Sequence, residues 1–303
     1  MDEQPLVSVA ICVYNGGLYL SEQLDSIVNQ SYKMIEIIAV DDRSTDESKS
    51  ILSRYANQYP NIQIHFNNAN LGYTKNFEKA IMMCNGKYIA LCDQDDIWLP
   101  DKIASQVATI GDSILIYHDS EFMNEQGKNL NKKVSNLFNM YEGNSPLPFV
   151  FMNCVSGHTV MFNRSLVQYA LPFNPNFFHD WWLAFVAANV GSIKYLPTTL
   201  VRYRQHTTNT IDILETKLDK AQKRPNELLL RKNWVTYCST FNGNYAKYLS
   251  QIARLIDPEM SLFSKIKLYY LLNKNKTLFQ YISKSPLKKQ SKDLRKLVFN
   301  IDR

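Results

Sequence analysis

Residues 6–14 read LVSVAICVY, β-branched and almost continuously apolar, the pattern of a strand buried on both faces. The run stops at Asn15-Gly16-Gly17, and over 18–30 the apolar residues Leu20, Leu24, Ile27 and Val28 recur at helical spacing. A second apolar run, 34–40, predicts a second strand. It ends in Asp41-Asp42-Arg43-Ser44-Thr45-Asp46, where Ser44 or Thr45 is placed to cap a helix carrying Ile51, Leu52 and Tyr55. A third strand is expected over 62–66, then a helix with Phe77, Ala80, Ile81 and Cys84, stopped by Gly86. A fourth strand, 88–92, runs straight into Asp93-Gln94-Asp95-Asp96. Strand and helix repeating at this length predict a parallel, doubly wound sheet. Such sheets bind ligands at the carboxyl ends of their strands, and here those ends carry Tyr14-Asn15, Asp41-Asp42 and the Asp93–Asp96 cluster.

Past residue 110 the pattern loosens into a strand at 113–118, a polar excursion over 121–145, apolar stretches at 150–162 and 178–190, and a strand at 193–196. These are expected to complete the same domain, with longer loops shaping one side of its site. Beyond about residue 210 the sequence turns helical, basic and aromatic. The expected organisation is an α/β domain over 1–210, in halves of about 1–110 and 111–210, followed by a helical region over 211–303.

Composition narrows the class. With 45% hydrophobic and 20% charged residues in 303, disorder, collagen and coiled coil are excluded as descriptions of the whole chain. No run approaches the roughly 20 apolar residues of a membrane-spanning helix, and Asp2 and Glu3 open the chain where a leader would be basic, so a cytoplasmic protein is expected. Five scattered cysteines without a CxxC pair imply neither a disulfide framework nor a zinc knuckle. The net charge of +6 conceals a partition: residues 1–210 hold 15 Lys+Arg against 20 Asp+Glu, and 211–303 hold 19 against 8. Something cation-dependent is expected in the first part and attraction to an anionic surface in the second.

Four clusters carry candidate chemistry. Asp93, Asp95 and Asp96 repel one another unless a cation sits among them, and carboxylate oxygens suit Mg²⁺ or Mn²⁺. The competing reading makes Asp96 the cap of a helix over 97–110. Asp41 and Asp42 are placed to accept from a base or ribose, although turn chemistry alone also accounts for them. In His179-Asp180-Trp181-Trp182 a carboxylate beside two indoles is desolvated and becomes a better base, with Trp181 and Trp182 a stacking wall for a sugar ring; otherwise this is a helix start with core tryptophans. His206, among Arg202 and Arg204, is a metal-ligand candidate in a segment able to close on phosphates, or a solvated loop residue. Lys75 and Asn76, after Asn70-Leu71-Gly72, face phosphate or merely cap a helix.

As a set, VSVAICVYNGG, VDDRSTDES, NANLGYTKNF, LCDQDDIWLPDKI, HDWWLA and YRQHTTN, in this order over about residues 5–210, resemble the family 2 glycosyltransferases, inverting nucleotide-sugar enzymes. DQDDIW, HDWWLA and YRQH look like a rhamnosyltransferase-like branch of cell-surface polysaccharide synthesis. The resemblance implies the GT-A fold, an α/β doubly wound mixed sheet, with a donor half, an acceptor half and a basic helical C-terminal extension. It implies Asp180 as catalytic base, Asp95 with Asp93 and His206 as the metal set for Mg²⁺ or Mn²⁺, and His179, Trp181 and Trp182 on the acceptor side. Tyr14, Asn15, Asp41, Asp42, Lys75, Asn76, Asp93, Gln94 and Asp96 would meet the nucleotide-sugar. Two positions depart from the family's habit: Arg43 replaces the commoner glycine, and His179 a frequent glutamate.

The reaction implied is transfer from dTDP-rhamnose or a UDP-hexose to a hydroxyl of a glycan or lipid-linked acceptor. Leu262, Ile266, Tyr269, Tyr270 and Leu272, interleaved with Lys265, Lys267 and Lys274, predict an interface-seeking helix, and Lys288, Lys289, Lys292, Arg295 and Lys296 add charge. Residues 260–303 are therefore expected either on the inner face of the cell membrane or packed on the catalytic domain. No nucleic acid partner is expected, since the aromatics fall in no RNA-binding motif. A nucleotidyltransferase would need a basic glycine-rich loop after strand one, which Asn15-Gly16-Gly17-Leu18 does not supply. Neither that class nor a non-catalytic sugar-nucleotide-binding protein accounts for Asp180 and His206 together.

Overall fold

The computed structural model describes residues 4–206, 227–257 and 260–299; Thr207, Thr208 and Asn209 of the YRQHTTN segment lie outside the described residues. Among the described residues nine strands form one sheet: β1 (Val7–Val13), β2 (Ile35–Asp41), β3 (Ile62–Phe66), β4 (Tyr88–Cys92), β5 (Ile97–Trp98), β6 (Leu115–Met123), β7 (Asn129–Lys133), β8 (Met161–Asn163) and β9 (Ile193–Arg204). Their order is β3-β2-β1-β4-β8-β6-β9-β5, with β7 paired to β6. The first four are parallel, as their helical crossovers require. The rest of the sheet is mixed, because the three-residue β8 enters antiparallel between β4 and β6, and β5 runs antiparallel to β9. An all-parallel sheet therefore holds only for the first half.

Alternation along the strands sorts the core. Val7, Val9, Ile11 and Val13 of β1 face one side, where α1 (Leu20–Val28), α2 (Ser48–Gln58) and the helix that follows β5 bury Leu24, Leu52 and Ile103. Ala10, Ile38, Val40, Ile89 and Leu91 face the other side, covered by α3 (Tyr73–Met83) with Phe77, Ala80 and Ile81. The helix behind β5 is α4 (Lys102–Thr109), so Asp96 caps nothing: Ile97 and Trp98 pair with β9 instead. α2 starts at Ser48, whose N–H is accepted by Asp46, while Ser44 accepts from Asn15.

The second half adds the short α5 (Val134–Leu137) and α6 (Val167–Ala170), then α7 (His179–Val190). The polar excursion begins as the continuation of β6, which runs to Met123 before turning back as β7. β9 runs well past the strand expected at 193–196, to Arg204, because a bulge opposite Asp119 accommodates Pro197, which has no N–H for the ladder. After residue 226 come α8 (Glu227–Thr240), α9 (Ala246–Leu255), α10 (Leu262–Lys274), α11 (Lys276–Phe279) and α12 (Leu287–Phe299). Trp234, Leu249, Ile252, Leu268, Leu272 and Phe279 share one core with Trp182 and Phe185 of α7, so these helices pack on the sheet's α7 face. No described helix is long and apolar enough to cross a membrane, and all five cysteines are free thiols.

Candidate active site

Strand register gathers the polar ends. Val13 pairs with Asp41 and Ile11 with Cys92, so β1, β2 and β4 release their chains side by side. A cleft of about 600 Å³ opens there, lined by Tyr14, Asn15, Asp42, Asn76, Asp93, Gln94, Asp95, Gly157, His158, His179, Asp180 and His206, among others. Gln94 fixes its first wall by accepting from the Tyr14 N–H at 2.8 Å and donating to the Tyr14 carbonyl at 3.1 Å. Gly16 is required by this contact, since a Cβ there would lie 2.4 Å from the Gln94 Oε1.

The acid loop is clamped from β9. Ile97 pairs with Arg202, so the antiparallel register carries the residues before Ile97 back along those after Arg202. His206 consequently meets Asp95, Nε2 to Oδ2 at 2.7 Å, although 110 residues separate them. Arg204, itself buried, donates its N–H to Asp96 and its Nε to the Asp95 carbonyl, both at 2.9 Å, and pairs with Glu22. This arginine is a brace and not a phosphate ligand. His158 lies with its Nδ1 3.8 Å from both Asp93 and Asp96 and its Nε2 3.1 Å from the Ser120 hydroxyl.

The electrostatics are those of an uncompensated anion cluster. Burial, then Asp95 and Asp180, push the Asp93 carboxyl up to about 7, and burial with Asp95 and Asp93 raises Asp96 well above the usual carboxylate range. Burial holds His158 down at about 3, with the buried Lys102 adding to the effect. The Asp96 Oδ2 has no hydrogen-bond partner. One ligand atom each from Asp93, Asp96 and His158 lie within 4.8 Å of one another. An orphaned buried carboxylate oxygen beside two carboxylates and imidazoles is a donor set that suits a divalent cation.

Across the cleft, α7 begins with His179 and Asp180. Asp180 accepts from its neighbour Trp181 at 2.6 Å and from the Gly157 N–H at 3.1 Å. Burial outweighs these two amides and pushes its carboxyl up to about 6. His179 stacks on Phe77 with ring centroids 4.3 Å apart, is 7% exposed, and has no partner on either ring nitrogen. Burial keeps it neutral, its pKa down at about 3.

Several residues expected at the site stand elsewhere. Trp181 donates its indole N–H to the Phe149 carbonyl and packs on Trp234; Trp182 is 6% exposed and packs on Tyr237. Neither is a stacking wall, because the helical turn after Asp180 aims both into the core beneath α8. Lys75 pairs with Glu78 at 2.9 Å and does not line the cleft. Asp41 is fully buried and accepts from the Ser44 N–H, a turn role. Asp42 does line the cleft, but its carboxylate holds the loop opposite through Asn67, Leu71 and Gly72. Arg43, where glycine is commoner, sits at φ 67, the left-handed region that glycine occupies without strain. His158 and the turn Ser156-Gly157 were not expected; the apolar letters around them read as one continuous run, and only the β4–β8 pairing sets them over the acid loop.

A mixed sheet with acids converging at its strand ends is the architecture of the GT-A glycosyltransferases. S. aureus TarS 1–349, solved in complex with UDP-GlcNAc, aligns over 97% of this chain and 90% of its own with a TM-score of 0.60 at 15% identity. The mannosyltransferase PcManGT from Pyrobaculum calidifontis, in complex with GDP-Man and Mn²⁺, aligns over 97% and 74% with a TM-score of 0.52, also at 15% identity. Residues 8–169 match the sequence profile of Glycosyl transferase family 2, more than half of the chain, and the chain belongs to that family. An uncharacterized glycosyltransferase of Haemophilus influenzae is 26% identical over 84% of this chain and 81% of its own. The putative glycosyltransferase EpsH of Bacillus subtilis is 29% identical over 71% and 65%, and the uncharacterized glycosyltransferase RP339 of Rickettsia prowazekii 30% over 68% and 67%.

Proposed function

We propose that this glycosyltransferase moves a sugar from a nucleotide-diphospho-sugar, dTDP-rhamnose or a UDP-hexose, to a hydroxyl of a glycan or lipid-linked acceptor, inverting the anomeric centre. The observation that carries the reading is the presence in one cleft of the acid loop and, on another element, a carboxylate of raised pKa. Nucleotide-sugars in the TarS and PcManGT complexes support the donor class.

In this reading Tyr14, Asn15, Asn76 and Gln94 receive the nucleotide, with Asp42 shaping the loop around it. Mg²⁺ or Mn²⁺ would be held by Asp95 with Asp93 and His206, beside Asp96 and His158, and when bound supplies positive charge for the departing diphosphate. Asp180 takes the proton of the acceptor hydroxyl as that oxygen attacks the anomeric carbon opposite the leaving group. Gly157 orients the base through its N–H. His179 offers its free nitrogens to acceptor hydroxyls, and the exposed Tyr73 edge continues that side. In this reading 1–110 serve mainly the donor and 111–210 mainly the acceptor, with Tyr73 crossing to the acceptor side and His158 and His206 to the metal, and the helices beyond support α7.

The test is thermal shift with dTDP-rhamnose, UDP-glucose, UDP-galactose, UDP-N-acetylglucosamine and GDP-mannose, with Mn²⁺ or with EDTA. A rise for one donor with Mn²⁺, lost in Asp95→Ala, supports the reading and selects the nucleotide. No rise for any donor in Mn²⁺ rejects it.

A further inference from the structure

α10 is apolar on two faces. Leu268 and Leu272 are buried in the core shared with α7, which secures the helix to the body. Turned away from that core, Leu262, Ile266 and Tyr270 follow at intervals of four residues and form one stripe, with Phe263 beside it. They are 68%, 54%, 71% and 76% exposed. Leu272 and the half-buried Tyr269 belong to the packed side, so the five apolar positions read from the sequence do not form one face. A surface helix ordinarily buries its apolar stripe and gives the other side to charge. Here the outer side is apolar too, and a rimmed exposed patch of this kind marks a partner.

Charge selects the partner. Residues 260–299 contain ten Lys or Arg and one acid, Asp293. Lys267, Lys274, Lys276, Lys289, Lys292 and Arg295 are exposed. A second copy of this chain would bring the same positive charge to the same face and be repelled. A bilayer with anionic headgroups supplies both an apolar interior for the stripe and counter-charge for its rim.

We propose that the Leu262-Phe263-Ile266-Tyr270 face of α10 inserts into the surface of an anionic lipid bilayer, with the neighbouring lysines on the headgroups. The helix then lies in the plane of the membrane. The proposal deepens the lipid-linked acceptor reading and is independent of the donor site, which its variants do not touch.

Flotation of the full chain is measured with phosphatidylcholine vesicles, with and without about a third phosphatidylglycerol. The intact chain floats with the anionic vesicles at low salt and remains behind with neutral ones. Phe263→Ser with Ile266→Ser lowers the bound fraction at least about tenfold, and Lys267→Gln with Lys274→Gln about fivefold per lysine. These side chains are exposed, so unchanged thermal unfolding and an unchanged donor-induced shift show that the body and the cleft are intact. Failure of the intact chain to float with either vesicle overturns the proposal, as does equal binding by the Ser variants. A dimer in sedimentation equilibrium that Phe263→Ser dissociates assigns the face to a second copy and overturns it as well.

Discussion

The acid loop at 93–96 and the start of α7 line the same cleft and are held by different means. The loop is braced through polar atoms: Arg204 on Asp95 and Asp96, His206 on Asp95, Gln94 on Tyr14. The start of α7 is set in aromatic packing, with His179 against Phe77 and the Gly157 and Trp181 amides on Asp180. One wall keeps carboxylates together so that a cation is the favourable occupant; the other removes water from a single carboxylate so that it holds a proton more readily. On the proposed reading, charge is concentrated on the leaving-group side and dielectric lowered on the base side.

The sharpest way to break this division is Asp180→Asn. The amide still accepts from Gly157 but takes no proton, so kcat falls about 10²–10⁴-fold while the donor-induced thermal shift persists. If Asp180 is the base, activity in the parent chain needs the ionised carboxylate, and kcat/KM is expected to decrease as pH drops below about 6. Stability has the opposite sign: a carboxyl raised in the fold is stabilising while protonated, and that contribution is lost as pH rises through about 6. At pH about 8 the Asn variant is accordingly more stable by about 1–2 kcal/mol. A variant with normal turnover would remove Asp180 from catalysis.

Trp182→Ala separates packing from recognition. The indole is buried among Phe185, Trp234 and Tyr237, and its loss costs about 3–5 kcal/mol of stability by denaturant titration. A variant of unchanged stability that lost acceptor binding would return Trp182 to the cleft.

The donor side was readable because it is local. Apolar strands ending in Asn15, Asp42 and Asp93 signal a site wherever the strands are parallel, and the first four are. Asp180 and His206 were candidates on residue chemistry, each with a structural alternative, and the resemblance decided between them; the structure sets both in the cleft. His158 was invisible because nothing in VSGHTV distinguishes a turn over an acid loop from the middle of a strand; β8 is three residues long and its pairing with β4 is nonlocal. Trp181 and Trp182 misled because two aromatics beside an acid look the same from the sequence whether they face ligand or α8. Periodicity locates a helix and leaves its neighbours undetermined.

His206→Ala tests the braced wall at smaller cost. Asp95 loses its imidazole, and donor affinity in Mn²⁺ weakens about 10–100-fold with little change in EDTA. An equal loss in both conditions would make His206 a packing residue, consistent with its ring 5.3 Å from that of Tyr19.

The smallest effect probes the aromatic wall through pH alone. His179 is neutral in the fold, its pKa held at about 3 against 6.5 when unfolded, because burial removes water from a ring whose two nitrogens have no hydrogen-bond partner. Between those values the unfolded chain binds the extra proton, so stability is lost as pH falls through this window. His179→Phe keeps the stack on Phe77 and has no proton to take up. Between pH about 7.5 and about 5 the parent therefore loses about 1–2 kcal/mol more than the variant, read as a larger fall in midpoint on denaturant titration. Parallel losses in the two proteins would mean that the imidazole is solvated or partnered in solution, and the base wall would then be no drier than the acid loop opposite.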